Sequence, residues 1–119
     1  MITDKESLTY GKMICELIKG ANLSQSNFYQ AIGITKSYLY DIASGKIKPP
    51  PAELQIKMIE FLNPSKKDRT LLLELAGREK QETPIDIAWY LKSNEEVKSI
   101  IRENINYSLL LNLSESDSL

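Results

Sequence analysis

The apolar residues of this chain recur every three or four positions, which is the spacing of helices with one hydrophobic face. The first such stretch covers residues 8–19, and its apolar positions are Tyr10, Met13, Ile14, Leu17 and Ile18. Further helices are predicted at about residues 25–32, 36–43, 52–62, 65–77 and 84–92, and from about residue 95. Polar and apolar residues nowhere alternate over a length that would form a strand, so the sequence predicts an all-α fold.

Residues 24–45 contain the most specific local pattern. Ser24 and Thr35 are each placed to cap a helix, because a hydroxyl oxygen can accept a hydrogen bond from an amide of the first turn. Gly33 and Gly45 follow the two helices, where glycine adopts the positive φ that ends a helix at little cost. Two short helices joined by a glycine turn have the spacing of a DNA-binding helix-turn-helix, whose second helix enters the major groove.

Three segments are predicted from the distribution of these elements. Residues 1–63 form a helix-turn-helix domain, in which residues 46–51 (the connector, Lys-Ile-Lys-Pro-Pro-Pro) are stiff and extended because proline disfavours helix. Residues 64–106 form a helical C-terminal extension that is expected to mediate dimerisation. Residues 107–119 form a partly disordered tail, although the leucines at 109–113 are apolar enough to pack on a neighbouring surface or a second copy.

The residue inventory lacks the commonest parts of catalytic and metal sites. The 119 residues include no histidine, the side chain that most often serves as general base or metal ligand. The single cysteine, Cys15, has apolar neighbours, which favours a buried small hydrophobic residue over a nucleophile. No phosphate-binding loop, dinucleotide fingerprint or nucleophile elbow is present. We therefore expect a protein that is not an enzyme and uses neither a cofactor nor a metal.

Charge is distributed unevenly, although the net charge is only −1. Residues 1–50 carry six lysines and four acidic residues, whereas residues 64–119 carry eight basic and ten acidic residues. A mildly positive head fits DNA contact, and an acidic C-terminal part fits a segment that does not touch DNA. No stretch approaches the ~20 consecutive apolar residues of a membrane span, and the N-terminus lacks the apolar core of a signal peptide. We therefore expect a cytoplasmic protein without membrane contact.

Residues 8–62 resemble the lambda-repressor-like (Cro-type, XRE-family) helix-turn-helix regulators. The matching motifs, in order, are Leu23-Ser24-Gln25, Gly33-Ile34-Thr35 and Gly45-Lys46-Ile47-Lys48-Pro49. Many members pair an arginine late in the first helix with a glutamate ending the third, where this chain has Ile18 and Ala43. Both charges are replaced together, which leaves no buried charge unpaired. The resemblance implies a five-helix DNA-binding domain followed by a short helical C-terminal extension.

The resemblance also implies which residues contact DNA. Gln25, at the start of the second helix, corresponds to a phosphate-contacting position. The outward positions of the recognition helix, where bases are read, are Lys36, Ser37, Tyr40 and Asp41, with Tyr38 as a further candidate. The positions that contact the DNA backbone past that helix are Ser44, Lys46 and Lys48. For each of these residues the alternative is an ordinary solvated side chain.

These features predict a sequence-specific regulator of transcription, a homodimeric repressor that binds double-stranded operator DNA. Residues 71–104 look like the C-terminal extension of phage- and mobile-element-type members, which implies dimerisation. The residues assigned to the dimer interface are Leu72, Leu75, Trp89, Ile101 and Ile105, and the alternative for these stripes is the core of one chain. The alternative function is a protein-binding module, an antitoxin or inhibitor of a partner protein that also autoregulates its own operon.

Overall fold

The computed structural model describes residues 7–117, with side chains described for residues 7–113. This range is all-α, as the hydrophobic spacing predicts, and contains no strand. Its eight helices are α1 (Tyr10–Gly20), α2 (Gln25–Ile32), α3 (Lys36–Ser44), α4 (Ala52–Leu62), α5 (Lys66–Lys80), α6 (Ile85–Ser93), α7 (Glu95–Glu103) and α8 (Tyr107–Asp117).

The chain divides into two compact units between Ile85 and Asp86. The first unit contains α1 to α5, whereas the sequence predicts a boundary after residue 63. The difference arises because α5 packs against α1 and contributes Leu72 and Leu75 to the same core. Helices α1 to α5 therefore belong to one unit.

The core of the first unit is built from the apolar faces of its helices. Ile14, Phe28, Leu39 and Met58 are fully buried, and the ring of Phe28 lies 6.0 Å from that of Phe61, centroid to centroid. Burying one such side chain contributes roughly 1.5–3 kcal/mol to folding. Helices as short as α2 and α3 are marginal in isolation, so this packing holds them in place.

The ends of α2 and α3 confirm the predicted caps and turns. The hydroxyls of Ser24 and Thr35 accept hydrogen bonds from the backbone amides three residues later, at 2.9 and 3.0 Å. Gly33 and Gly45 end the two helices with φ of +78° and +81°, in the left-handed region. The path of the chain into and out of α3 is therefore set by local interactions.

Tyr10 begins α1 with its side chain buried in the core. Its hydroxyl donates to the sulfur of Met58 at 3.6 Å. Burial raises the pKa of the Tyr10 hydroxyl far above its ordinary value, with smaller contributions from Tyr38 and Glu79. The folded chain therefore retains this proton at pH values where the unfolded chain releases it.

Above about pH 10, the ordinary pKa of tyrosine, the free energy of unfolding is expected to fall as pH rises. The reason is that the folded state must keep Tyr10 neutral while the unfolded state gains stability by ionising it. Urea denaturation of the wild type and of Tyr10→Phe at several alkaline pH values measures the effect. The variant should show a smaller fall, and an equal fall in both proteins would contradict the prediction.

The second unit contains α7, α8 and the greater part of α6. None of its residues from Asp86 to Leu113 is buried, so its described side chains form no core of their own. Residues 107–117 form α8, which differs from the partly disordered tail that the sequence predicts. The leucines of residues 109–113 are good helix formers, which accounts for the difference, and residues 118–119 lie outside the described range.

Candidate nucleic-acid interface

One side of α3 presents polar and aromatic side chains to solvent. The exposed residues are Lys36, Ser37, Tyr40 and Ser44, and Asp41 on the same side is half-buried. These positions share a side because an α-helix completes a turn every 3.6 residues. Leu39 and Ile42 project from the opposite side and are buried in the core. The core thus fixes the orientation of α3, and we call its exposed side the reading face.

Lys36 and Tyr40 interact within the reading face. The amino nitrogen of Lys36 lies 5.4 Å from the centre of the Tyr40 ring. An ammonium group over an aromatic face is attracted by the ring quadrupole, worth roughly 0.5–1 kcal/mol at an exposed site. The contact restricts a flexible lysine to the first turns of α3.

Hydrogen bonds join the end of α3 to the connector. The Ser44 hydroxyl donates to the Asp41 carbonyl at 3.3 Å and accepts from the Lys46 amide at 3.4 Å. The Ile47 amide donates to the same Asp41 carbonyl at 3.3 Å. These hydrogen bonds fix the backbone at the exposed Lys46 relative to the end of α3.

Gln25 is exposed at the first position of α2. Ser24 caps this helix, and its hydroxyl also donates to the side-chain oxygen of Asn27 at 2.7 Å. The first amides of a helix lack helical partners and attract anions. The start of α2 therefore has the electrostatic character that a phosphate contact requires.

Two residues predicted to contact DNA are engaged within the protein. Tyr38 is half-buried and packs against the core, so it does not belong to the reading face. Lys48 is exposed, but its amino group donates to the carbonyl of Glu79 at 3.1 Å. Its partner lies on α5, outside the segment that the family resemblance covers, so the motif alone does not reveal this contact.

The residues predicted for a dimer interface fall into two groups. Leu72 and Leu75 are only 1% and 2% exposed and lie in the core of one chain, which is the alternative that the sequence left open for these stripes. The reason is that α5 turns its apolar face toward α1. Trp89, Ile101 and Ile105 are 67%, 42% and 37% exposed and remain available to a partner.

Two lysines that the sequence did not predict to have a role lie near the α2–α3 turn and the connector. The amino nitrogen of Lys57 lies 3.9 Å from the point where a Cβ would stand on Gly33, so a cation adjoins the turn between α2 and α3. The amino group of Lys80, in the last turn of α5, donates to the carbonyl of Pro50 in the connector at 3.1 Å. Each contact joins elements that are distant along the chain, and no local sequence signal marks it.

Among the side chains that the structure describes, no three His, Cys, Asp or Glu residues are grouped so that they could hold a metal ion. In the same part of the chain, no helix has the length and apolar character needed to cross a bilayer.

Comparison of the chain with protein-family models, with curated proteins and with solved structures finds no match. The features of this chain that bear on its function are therefore the geometry of α2, α3 and the connector and the resemblance of their sequence motifs.

Proposed function

We propose that this protein is a sequence-specific regulator of transcription that binds double-stranded DNA through α3, within a lambda-repressor-like domain. The observation that carries the proposal is the reading face. It combines polar side chains with the exposed ring of Tyr40, its opposite side is buried, and α2 joins α3 through the left-handed Gly33. A helix presented in this way fits the major groove of B-DNA.

The side chains of the reading face match the groups that base edges present. Lys36 can donate to O6 and N7 of guanine, Asp41 can accept from N4 of cytosine, and Ser37 can do either. Gln25 and Lys46 flank these residues along the chain and suit phosphate contacts. The ammonium group of Lys46 displaces a counterion when it meets a phosphate, which makes binding weaker at high salt.

The regulator acts as a homodimeric repressor in this proposal. Lys36 and Lys46 give each copy few cations near the reading face, so one copy attracts phosphates weakly. Two copies would place their recognition helices in successive major grooves about 34–36 Å apart, on a near-palindromic operator. Trp89, Ile101 and Ile105 are exposed apolar side chains that suit the contact between copies.

Replacing Lys36 and Ser37 together with alanine is expected to lower operator affinity about ten-fold or more, because one good base contact contributes ~1–3 kcal/mol of discrimination. Fluorescence anisotropy at fixed salt measures this on DNA from upstream of the protein's own gene, with an unrelated duplex as competitor. Lys67→Ala removes an exposed lysine from the first turn of α5 and controls for charge.

Circular dichroism establishes that the double variant is folded. A folded double variant that keeps the wild-type sequence preference would refute the assignment of α3 as the reading helix. If the wild type prefers no fragment of its upstream DNA over the unrelated duplex, the idea that the protein regulates its own gene is refuted.

The second unit favours an alternative function, a protein-binding module such as an antitoxin or an inhibitor. Residues 86–119 carry six acidic and three basic side chains, and the apolar side chains of α6 and α7 include exposed Trp89 and Ile101. A basic partner with an apolar groove would cover both kinds of surface. A stable stoichiometric complex on co-purification, abolished by Trp89→Ala with Ile101→Ala, would support this alternative.

A further inference from the structure

The last turn of α5 holds the C-terminal half of the connector. The Lys80 ammonium donates to the Pro50 carbonyl at 3.1 Å, and the buried Gln55 side-chain amide donates to the same carbonyl at 2.8 Å. Pro49 and Pro50 are themselves buried. Because proline also restricts its own backbone, this half of the connector has little freedom to move.

The N-terminal half of the connector is anchored to α3. The Ile47 amide donates to the Asp41 carbonyl, and the Ile47 side chain packs against the core. Lys48 donates to the Glu79 carbonyl on α5. The exposed Lys46 thus belongs to a segment whose backbone is fixed from α3 on one side and from α5 on the other.

The same turn of α5 also holds the start of α1. The Glu79 carboxylate accepts a hydrogen bond from the Tyr10 amide at 2.7 Å, and an acidic group at a helix N-terminus is electrostatically favourable. Helix α1 packs against α3. The end of α5 is therefore linked to the recognition helix by two routes, one through the connector and one through α1.

We propose that Lys80 is a positioning residue for DNA binding: by holding the Pro50 carbonyl it fixes the connector and so determines where Lys46 meets a phosphate. This inference rests on the function proposed for α3. A hydrogen bond from a charged donor is roughly twice as strong as a neutral one, so Lys80 contributes more than the neutral Gln55 amide to holding the Pro50 carbonyl. Lys80 then affects DNA affinity from a helix outside the helix-turn-helix.

Lys80→Met removes the hydrogen bond and keeps the length of the side chain. DNA affinity at fixed salt is expected to fall about five-fold, which is less than the full contribution of one charged hydrogen bond, because the Pro50 carbonyl keeps its hydrogen bond from Gln55. Lys67→Met makes the same change of charge at the other end of α5 and should bind within about two-fold of wild type. Lys80→Arg keeps a donor and should restore most of the affinity. Equal losses in Lys80→Met and Lys67→Met would overturn the proposal, because net charge alone would then explain them.

A double-mutant cycle separates positioning from direct contact with DNA. If Lys80 acts through Lys46, the variant with both Lys80→Met and Lys46→Met binds about as weakly as Lys46→Met alone, because a contact already removed cannot be misplaced. Additive losses would overturn the proposal, since they require Lys80 to meet DNA independently of Lys46.

Amide hydrogen exchange at Ile47 tests the positioning step without DNA. In Lys80→Met this amide is expected to exchange about five-fold faster, because the connector opens more often, while Lys67→Met leaves it unchanged. Unchanged exchange in Lys80→Met overturns the positioning role. If the wild type binds no DNA, the proposed function and the DNA part of this inference are refuted. Faster exchange in Lys80→Met would in that case still uphold the anchoring of the connector by Lys80.

Discussion

Substituting alanine for Gly11 is expected to destabilise the first unit by about 3 kcal/mol, which is near the upper end of the usual cost of overpacking. A Cβ on Gly11 would stand 2.3 Å from the Ile42 carbonyl oxygen and 2.6 Å from that of Ala43. Both oxygens belong to the backbone of α3, so only a movement of α3 away from α1 relieves the contact. The reading face would move with the helix.

Urea denaturation followed by far-UV circular dichroism measures this loss, and Gly20→Ala is its matched control. The control makes the same substitution in the same helix, where no atom lies within 4 Å of the added Cβ. Alanine is a better helix former than glycine by up to about 1 kcal/mol, so Gly20→Ala should leave stability unchanged or raise it. A Gly11→Ala protein as stable as wild type would contradict the close approach of α1 and α3.

Interactions within a few residues made α2, α3 and the turn between them largely predictable. Ser24 and Thr35 cap amides three residues away, and Gly33 ends the helix that precedes it, so both partners of each interaction appear in one short stretch. The reading face is predictable for a similar reason. A 3.6-residue period separates exposed positions such as Lys36 and Tyr40 from buried ones without knowledge of the rest of the fold.

Contacts between helices were not predictable in this way. Gly11 reads only as a poor helix former near the start of a helix, and the backbone of α3 alone explains why it is needed. Lys48 reads as a phosphate-contacting lysine, although its partner is the Glu79 carbonyl on α5. Periodicity indicates which side of a helix is apolar, but it does not indicate which element that side meets.

The same ambiguity explains why Leu72 and Leu75 were predicted at a dimer interface. An apolar stripe is equally consistent with the core of one chain and with a contact between copies. The stripes of α5 and α7 look alike in sequence, yet Leu72 is 1% exposed and Ile101 is 42% exposed. Because of this difference in burial, substitutions of Leu72 and Ile101 are expected to have opposite effects on stability and on self-association.

Leu72→Ala is expected to lower the free energy of unfolding of the first unit by about 3 kcal/mol, because truncating a buried leucine loses its transfer free energy and leaves a cavity. Ile101 is 42% exposed and lies outside the first unit, so Ile101→Ala should change the free energy of unfolding of that unit by less than about 1 kcal/mol. Urea denaturation at low protein concentration, where association contributes least, compares the two variants with the wild type.

Self-association is expected to show the reverse order. In light-scattering measurements over a range of concentrations, Ile101→Ala should weaken association if copies meet through α7, whereas folded Leu72→Ala should associate like the wild type. A side chain already covered within one chain has almost no surface left to bury against a second. A Leu72→Ala protein that is as stable as the wild type but associates more weakly would therefore contradict the burial of Leu72. It would indicate that α5 contributes to the contact between copies.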